Sequence, residues 1–148
     1  DLSTPVFDDW VERMMGTLVQ FRREVHANPE LSFREVVTTE RLMNRLREAG
    51  MNPIACEGTG CYVDIGDGPF AAALRADIDA LPIVEQTELP YASTVPGVMH
   101  ACGHDIHQTV MLGVALALHE LNEKTPLGRS IRILSSPPRN SCPAAPCR

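Results

Sequence analysis

The chain has 148 residues, 44% hydrophobic and 22% charged, a composition typical of a folded globular domain. Its formal net charge of −6, with no basic run, argues against nucleic acid and against an anionic membrane surface as partners. No apolar run is long enough to span a bilayer, and the first residues lack the basic-then-apolar form of a signal peptide. The composition therefore predicts a globular protein that binds neither nucleic acid nor membrane.

The five cysteines are an odd number and include no CxxC pair, which makes a poor disulfide framework. Cys56 and Cys61 lie in short apolar runs, so we expect both to be buried thiols. This cysteine usage favours a reducing compartment, and the expected location is the cytoplasm.

Two helices are predicted in the first third of the chain. Residues 7–27 place apolar side chains at helical spacing, and Pro29 stands just past their end. The stretch SFRE then offers a capping box, with Ser32 as the N-cap residue and Glu35 three positions on. The helix that it opens is expected to end just before Gly50, which is placed for a C-terminal cap.

The pattern then changes to short apolar runs bounded by glycine-rich turns. Strands are predicted at 52–56, 61–65, 70–76 and 129–134. The run FAAALRA (70–76) is apolar nearly throughout, as expected of an interior strand covered on both faces. A long loop (77–99) and a helix (106–122) follow it, and the last strand completes a βαβ unit with parallel strands. The residues therefore predict an α/β fold.

Two polar clusters are expected at one edge of this sheet, because sites in open α/β sheets lie beyond the carboxyl ends of the strands. Asp77 and Asp79 come directly after strand 70–76. The second cluster precedes the crossover helix and contains His100, Cys102, His104, Asp105 and His107. The topology therefore brings both clusters to the same place.

One interpretation of the second cluster is a metal site. Cys102 and His104 can reach one ion at this spacing if the backbone between them is irregular, and Gly103 permits that. Thiolate and imidazole together suit zinc or another borderline divalent metal, and the helix N-terminus that follows would help to ionise the thiol. Asp77 could orient a ligating histidine or contribute at the metal directly. Two ligands do not make a site, so further ligands must come from elsewhere.

Two other interpretations stay open on spacing alone. Cys102 could be a nucleophile with His104 as its base, although residues so close in sequence rarely achieve the required hydrogen bond. Alternatively, His100 and His107 could be surface or capping side chains, with Cys102 a small buried residue. The remaining histidines, His26 and His119, lie on amphipathic helices and are expected to be ordinary helix residues.

Three stretches in a fixed order carry a resemblance to a known family. They are RREVHANPELSFRE (22–35), ALRADIDALPI (73–83) and MHACGHDIHQTVMLG (99–113). Together they resemble the metal-dependent amidohydrolases, the branch of the aminoacylase/carboxypeptidase metallopeptidases that includes hippurate hydrolases, N-acyl-amino-acid amidohydrolases and auxin-conjugate hydrolases. The resemblance covers nearly everything from Trp10 to Leu134. It implies a three-layer α/β/α fold with a mixed, partly parallel sheet.

The resemblance also implies roles for individual residues. Cys102 and His104 match the family's metal ligands, and Asp77 matches its supporting aspartate behind the metals. Asp105, His107 and His100 are the candidates for side chains that surround and support the ligands. A separate motif at the edge of the catalytic domain, for which we infer a structural role, contains His26, Pro29 and Glu30.

The implied reaction is hydrolysis of the amide bond in N-acyl or N-aroyl amino acids, or in similar conjugates. The family's sites hold two divalent ions, commonly zinc, manganese or cobalt, and a water attacks the carbonyl while a glutamate takes its proton. The implied partner is a small-molecule amide, and members of the family are often homo-oligomeric.

The last residues depart from the family pattern. In the family, the strand after the crossover helix ends in a motif close to FQPAEE, whose first Glu is the general base and whose second is a metal ligand. Here SSPPRNSCPAAPCR follows Leu134, and no Glu occurs after Glu123. This tail can be encoded so that a frame shifted by one nucleotide reads FQPAEELMPGGAMP. We therefore hypothesise that the chain leaves its ancestral frame near Leu134; the alternative is a natural or cloned tail that resembles such a product.

These expectations divide the chain into residues 1–134, the N-terminal part of the catalytic domain, and residues 135–148, a non-native tail, with the lid/dimerisation domain absent. Without the Glu pair, we expect a weak partial metal site and little or no hydrolysis. The alternative is a non-catalytic remnant that binds metal weakly or associates with a partner subunit through an exposed sheet edge.

Overall fold

The structure is a computed structural model that describes residues 4–137. The predicted tail therefore lies outside the described residues from position 138 onward. The helices are α1 (Thr4–Ala27), α2 (Val36–Glu48) and α3 (His104–Lys124). The strands are β1 (Ile54–Ala55), β2 (Cys61–Ile65), β3 (Phe70–Ala76) and β4 (Ser130–Ser135). Each of these seven elements was predicted from the sequence, to within a few residues at the ends.

The four strands form one sheet in the order β1-β2-β4-β3. β2 pairs with β4 antiparallel, whereas β3 pairs with β4 parallel, across the α3 crossover. The βαβ unit and the α/β class with a mixed, partly parallel sheet are therefore confirmed. The parallel pair has a functional consequence, because the carboxyl ends of β3 and β4 meet at the same edge.

A single hydrophobic core joins the helices to one face of the sheet. On β2, the alternate residues Cys61, Val63 and Ile65 are buried, as a strand with one covered face requires. They pack in one cluster with side chains from all three helices and from β4, among them Phe21, Val25, Leu42, Leu46, Leu112, Ala115 and Ile133. Two of the three expected layers are thus present in residues 4–137, and the third stays a prediction. None of the described helices combines the length and hydropathy that a bilayer crossing requires.

The prediction that β3 is an interior strand is wrong for the described residues. β3 lies at the edge of the sheet and pairs only with β4 among them. Its apolar side chains are consequently open to solvent, with Phe70 37% and Leu74 40% exposed. The apolar composition of a strand indicates which faces can be covered, but not which element covers them.

The capping box predicted at the start of α2 is also wrong. Glu35 is the N-cap residue but makes no side-chain cap, and the hydroxyl of Ser32 is buried without a partner among the described residues. The cap comes from Glu30 instead. Its two carboxylate oxygens accept the backbone N–H groups of Val37 and Thr38, at 3.1 and 2.7 Å. A carboxylate at a helix N-terminus is favourable because it satisfies unpaired N–H groups and faces the positive end of the dipole.

The cysteine prediction is confirmed at one position and wrong at another. Cys61 is a free, buried thiol, and burial raises its pKa to about 12. Cys56 is buried too, but it is disulfide-bonded. An odd number of cysteines without a CxxC pair therefore did not exclude a disulfide.

Candidate functional site

The two polar clusters meet at the carboxyl edge of the parallel pair, as the topology required. The segment after β3 carries Asp77 and Asp79, and α3 begins at His104 on the same edge. The contact between the clusters is direct, since Nδ1 of His104 lies 3.0 Å from Oδ1 of Asp79 and 3.0 Å from its backbone oxygen.

This contact places a proton on Nδ1 of His104. Both atoms of Asp79 that face Nδ1 are acceptors, so Nδ1 carries the proton and donates it. The opposite nitrogen, Nε2, is therefore the atom that can bind a metal ion. A carboxylate or carbonyl behind a ligating imidazole is the usual arrangement in metal sites. The His104 side chain is 17% exposed, and the ring of His107 lies 5.4 Å away.

Cys102 lies in the short loop immediately before α3, with its thiol exposed and free. Gly103 follows it in a left-handed conformation, with φ of 75°, and is the N-cap residue of α3. This irregular backbone is what two ligands separated by one residue require. Because Cys102 is exposed, the interpretation that makes it a small buried residue is wrong.

Asp77 pairs with Arg75, whereas the aspartate that contacts His104 is Asp79. Its Oδ1 accepts a hydrogen bond from Nη2 of Arg75 at 2.6 Å, and its side chain is 30% exposed. Arg75 also donates to the hydroxyl of Ser136 and to the backbone oxygens of Ser136 and Pro137. The Asp77–Arg75 pair thus joins the chain that leaves β3 to the chain that leaves β4, and Asp79 is the carboxylate behind His104.

His100 is buried, with neither ring nitrogen hydrogen-bonded within residues 4–137. Burial lowers its pKa to about 4, and nearby His26 and His104 act in the same direction while Asp105 opposes them. His100 is therefore neutral at physiological pH. The interpretation of His100 as a surface side chain is wrong, whereas His107 is exposed.

Sequence reasoning missed a buried polar network behind the site. Nδ1 of His26 lies 2.8 Å from Oδ2 of Asp105, and Nε2 lies 3.0 Å from Oε1 of Glu85. Nε of Arg22 donates to the same Oδ2 at 2.8 Å. His26 is thus not an ordinary helix residue. A signal was available, since Arg22 and His26 are four positions apart and share one face of α1.

The residues present fit part of a metal centre. Within residues 4–137, no group of three or more His, Cys, Asp and Glu side chains could hold an ion. Nε2 of His104 and the thiol of Cys102 are two donors of the kind that zinc and similar divalent ions take. The described residues therefore contain two donors of suitable chemistry, one of which is hydrogen-bonded to a carboxylate.

The sequence matches known proteins along most of its length. Residues 73–137 match the family described as Peptidase family M20/M25/M40. The chain is 49% identical over 140 residues to N-acetyl-L-cysteine deacetylase of Bacillus subtilis, covering 91% of this chain and 32% of that protein. It is 46% identical over 126 residues to IAA-amino acid hydrolase ILR1-like 5 of Arabidopsis thaliana, covering 83% of this chain and 28% of that protein.

A solved structure gives the same result for the fold. The YXEP protein of Bacillus subtilis, a dinuclear metal-binding peptidase of the M20 family, superposes with a TM-score of 0.79 at 41% identity. The superposition covers 86% of this chain and 36% of that one. The chain spans between 16% and 33% of the length of the first curated relatives that it matches. On its sequence and its fold, the chain belongs to the M20/M25/M40 family of metallopeptidases and amidohydrolases.

Proposed function

We propose that this chain carries two metal ligands, Cys102 and His104, of an enzyme that hydrolyses the amide bond of N-acyl amino acids. The observation that supports this most directly is the contact of Asp79 with Nδ1 of His104, which leaves Nε2 free to bind a metal ion. The exposed thiol of Cys102, two residues away, supplies a second donor of matching chemistry.

Each of these residues has a defined task in that reaction. A divalent ion held by Cys102 and His104 would polarise an amide carbonyl and make water a stronger acid. Asp79 keeps the His104 imidazole in one tautomer and one orientation. Asp77 is proposed as a supporting residue, acting through Arg75, which fixes the chain that leaves β4. Around the ligands, His100 is buried and neutral, His107 is exposed beside His104, and Asp105 is anchored to α1.

The proposed substrates are small N-acyl or N-aroyl amino acids. N-acetyl-L-cysteine deacetylase and the IAA-amino acid hydrolase are both named for compounds in which an acyl group is joined to an amino acid. The shared part of such compounds is the secondary amide, so the proposal specifies the amide and leaves the acyl group open. Zinc, manganese and cobalt are the proposed ions, two per site in an intact enzyme.

We further propose that the 148 residues alone are nearly inactive, because no Glu follows Glu123 and the implied general base is therefore not among them. Loss of an acid–base group alone lowers rates by about 10²–10⁴-fold. The proposed division of the chain into residues 1–134 and an out-of-frame tail (135–148) is tested by sequencing the coding DNA. A shifted frame that encodes FQPAEE and continues as a long open frame supports it, and the lack of such a frame contradicts it.

The experiment for metal binding is a Co²⁺ titration of the purified chain, followed by the absorption band of cobalt–thiolate bonds. We expect a saturable band that Cys102→Ala abolishes and that His104→Ala weakens by at least about tenfold. His119→Ala, on the last half of α3, is the matched control and should leave the titration unchanged. A band that persists in Cys102→Ala would contradict the ligand assignment.

Hydrolysis is measured separately, on N-acetyl and N-benzoyl amino acids with Mn²⁺ or Zn²⁺. Turnover that Cys102→Ala removes would show that the 148 residues suffice for catalysis and would contradict their proposed inactivity.

A second candidate function is association with a partner subunit, which the exposed edge strand β3 favours. An unpaired strand edge can add a strand from another chain. Leu74→Lys, at a side chain that is 40% exposed, should reduce association while leaving the fold intact. Sedimentation velocity of both proteins tests this, and a monomeric wild-type chain at high concentration would contradict association between its own copies.

A further inference from the structure

His26 lies in the last turn of α1 and is buried, with 4% of its surface exposed. Its two ring nitrogens face two different carboxylates, Asp105 on one side at 2.8 Å and Glu85 on the other at 3.0 Å. Those side chains are buried too, with 1% and 4% exposed. One imidazole therefore stands between two carboxylate oxygens in a place that water hardly reaches.

The number of donors decides which protonation state this geometry allows. Oδ2 of Asp105 already accepts a hydrogen bond from Arg22, and Oε1 of Glu85 accepts one from Thr87, so both oxygens face His26 as acceptors and each ring nitrogen must carry a proton. A neutral imidazole has a single N–H, and its lone pair would then face a carboxylate oxygen at hydrogen-bonding distance. Charge balance gives the same answer, because Arg22 and a doubly protonated His26 together neutralise Asp105 and Glu85.

Glu85 is ionised at neutral pH. Its pKa is about 2, because burial, which acts to raise it, is outweighed by hydrogen bonds from Thr87, His26 and the backbone N–H of Ser93. Its Oε1 accepts from the Thr87 hydroxyl, and its Oε2 accepts from the Ser93 amide. Glu85 therefore organises the loop around itself and still requires a donor from His26.

Two more side chains face His26, those of Tyr91 and His100. The ring of Tyr91 meets the imidazole edge-on, with centroids 5.6 Å apart, and its hydroxyl accepts from Arg22 at 3.3 Å. His100 lies 6.4 Å away and is neutral, since its pKa is about 4. Within residues 4–137, the cations Arg22 and His26 and the two carboxylates are thus the charged members of this cluster.

The two carboxylates belong to different parts of the fold. Glu85 lies in the strap, which we define as residues 82–98, closed at its base by the paired backbones of Leu81 and Met99. Asp105 lies in the first turn of α3, next to His104. His26 therefore joins the strap to α3, beside Arg22, which donates to Asp105 and to the hydroxyl of Tyr91 in the strap.

We propose that His26 is doubly protonated in the folded protein and acts as a charged link that holds the strap against the first turn of α3. The strap starts three residues after Asp79 and ends two residues before His100, so this link fixes both segments that carry the candidate site. The link needs no metal ion. It therefore goes beyond the proposed function, and its failure would leave the metal-binding experiment unaffected.

The protonation state is measured by ¹⁵N–¹H NMR of the histidine rings in the metal-free chain at about pH 7.5, one unit above the ordinary imidazole value. We expect His26 to show protons on both ring nitrogens in the wild type. Glu85→Gln replaces one carboxylate by a neutral isostere, and there His26 should show one ring proton. A single ring proton on His26 in the wild type at this pH would overturn the proposal, whatever the variants do.

Hydrogen exchange measures whether the link holds the strap. In His26→Gln, whose side chain cannot donate to both carboxylates with matching geometry, the amides of Ser93 and Thr94 should exchange at least about tenfold faster. The amide of Leu81, at the base of the strap, should be unchanged, and so should all of these amides in the control His119→Gln. Unchanged exchange of Ser93 and Thr94 in His26→Gln would refute the linking role.

Discussion

The substitution Asp79→Asn tests which carboxylate orients His104. In the structure, Nδ1 of His104 donates to Oδ1 of Asp79 and to the backbone oxygen of the same residue, both at 3.0 Å. Asparagine keeps an acceptor oxygen and the backbone oxygen, so the variant loses only the negative charge behind the imidazole. Asp79→Ala loses the side-chain acceptor as well.

The magnitude follows from these contacts. Removing the partner behind a ligating histidine lowers metal affinity by about 10–100-fold, and each tenfold is about 1.4 kcal/mol. We expect Asp79→Asn to lower the metal affinity by about tenfold, at the low end of this range, because two acceptors remain. Asp79→Ala should approach the high end. The backbone oxygen that stays in place keeps either variant from losing binding completely.

Asp77→Asn is the matched control, since Asp77 contacts Arg75 and is 30% exposed. A partly exposed ion pair contributes little, so the affinity should change by no more than about threefold. Competitive Zn²⁺ titration gives the affinities, and thermal unfolding followed by circular dichroism verifies that all the variants fold. If Asp77→Asn weakens binding tenfold while Asp79→Asn does not, the assignment of Asp79 is refuted and the residue implied by the family resemblance is the orienting one.

Three further predictions concern caps, pH and thiol reactivity. Glu30→Ala should lower the free energy of unfolding, measured by urea denaturation, by about 1 kcal/mol, whereas Ser32→Ala should leave it unchanged. Equal losses in the two variants would contradict the assignment of Glu30 as the cap of α2. Burial raises the pKa of Glu35 in the folded state, so the folded protein holds this proton more tightly than the unfolded chain does. The free energy of unfolding should therefore fall as the pH rises from the pKa of the unfolded state through that of the folded state. Glu35→Gln should flatten this decline, as measured by urea denaturation midpoints from pH 4 to pH 8. Iodoacetamide at about pH 8 should label Cys102 and spare Cys61, whose pKa is about 12, and peptide mass spectrometry would expose the reverse.

Most of the fold could be predicted from local patterns in the sequence. The helical spacing of apolar residues and the alternation in β2 predicted elements that the structure contains. Gly50 was predicted to end α2, and it does so with φ of 86° and its N–H bonded to the backbone oxygen of Arg47. In each case the interactions that determine the element act between residues close in sequence, so a single stretch of sequence is enough to predict it.

The same limit explains which parts of the site the sequence could not predict. The βαβ topology brought Asp77 and Asp79 to His104, but it could not choose between them. That choice depends on how the segment after β3 is anchored, and the anchor is a bond from the N–H of Ala80 to the backbone oxygen of Glu30. Residues from two distant motifs meet there, and no local pattern records the contact.

The error on β3 has a different origin. An apolar run indicates that both faces of a strand are suited to burial, and β3 has such a sequence, FAAALRA. Burial of a given strand is, however, a property of its neighbours, and β4 is the single strand beside β3 in the described residues. The side chains of Phe70 and Leu74 are therefore partly exposed, although the apolar sequence of the strand is suited to burial on both faces. Because an apolar edge without a partner strand among residues 4–137 favours pairing with another strand, β3 is the surface at which association is first to be sought.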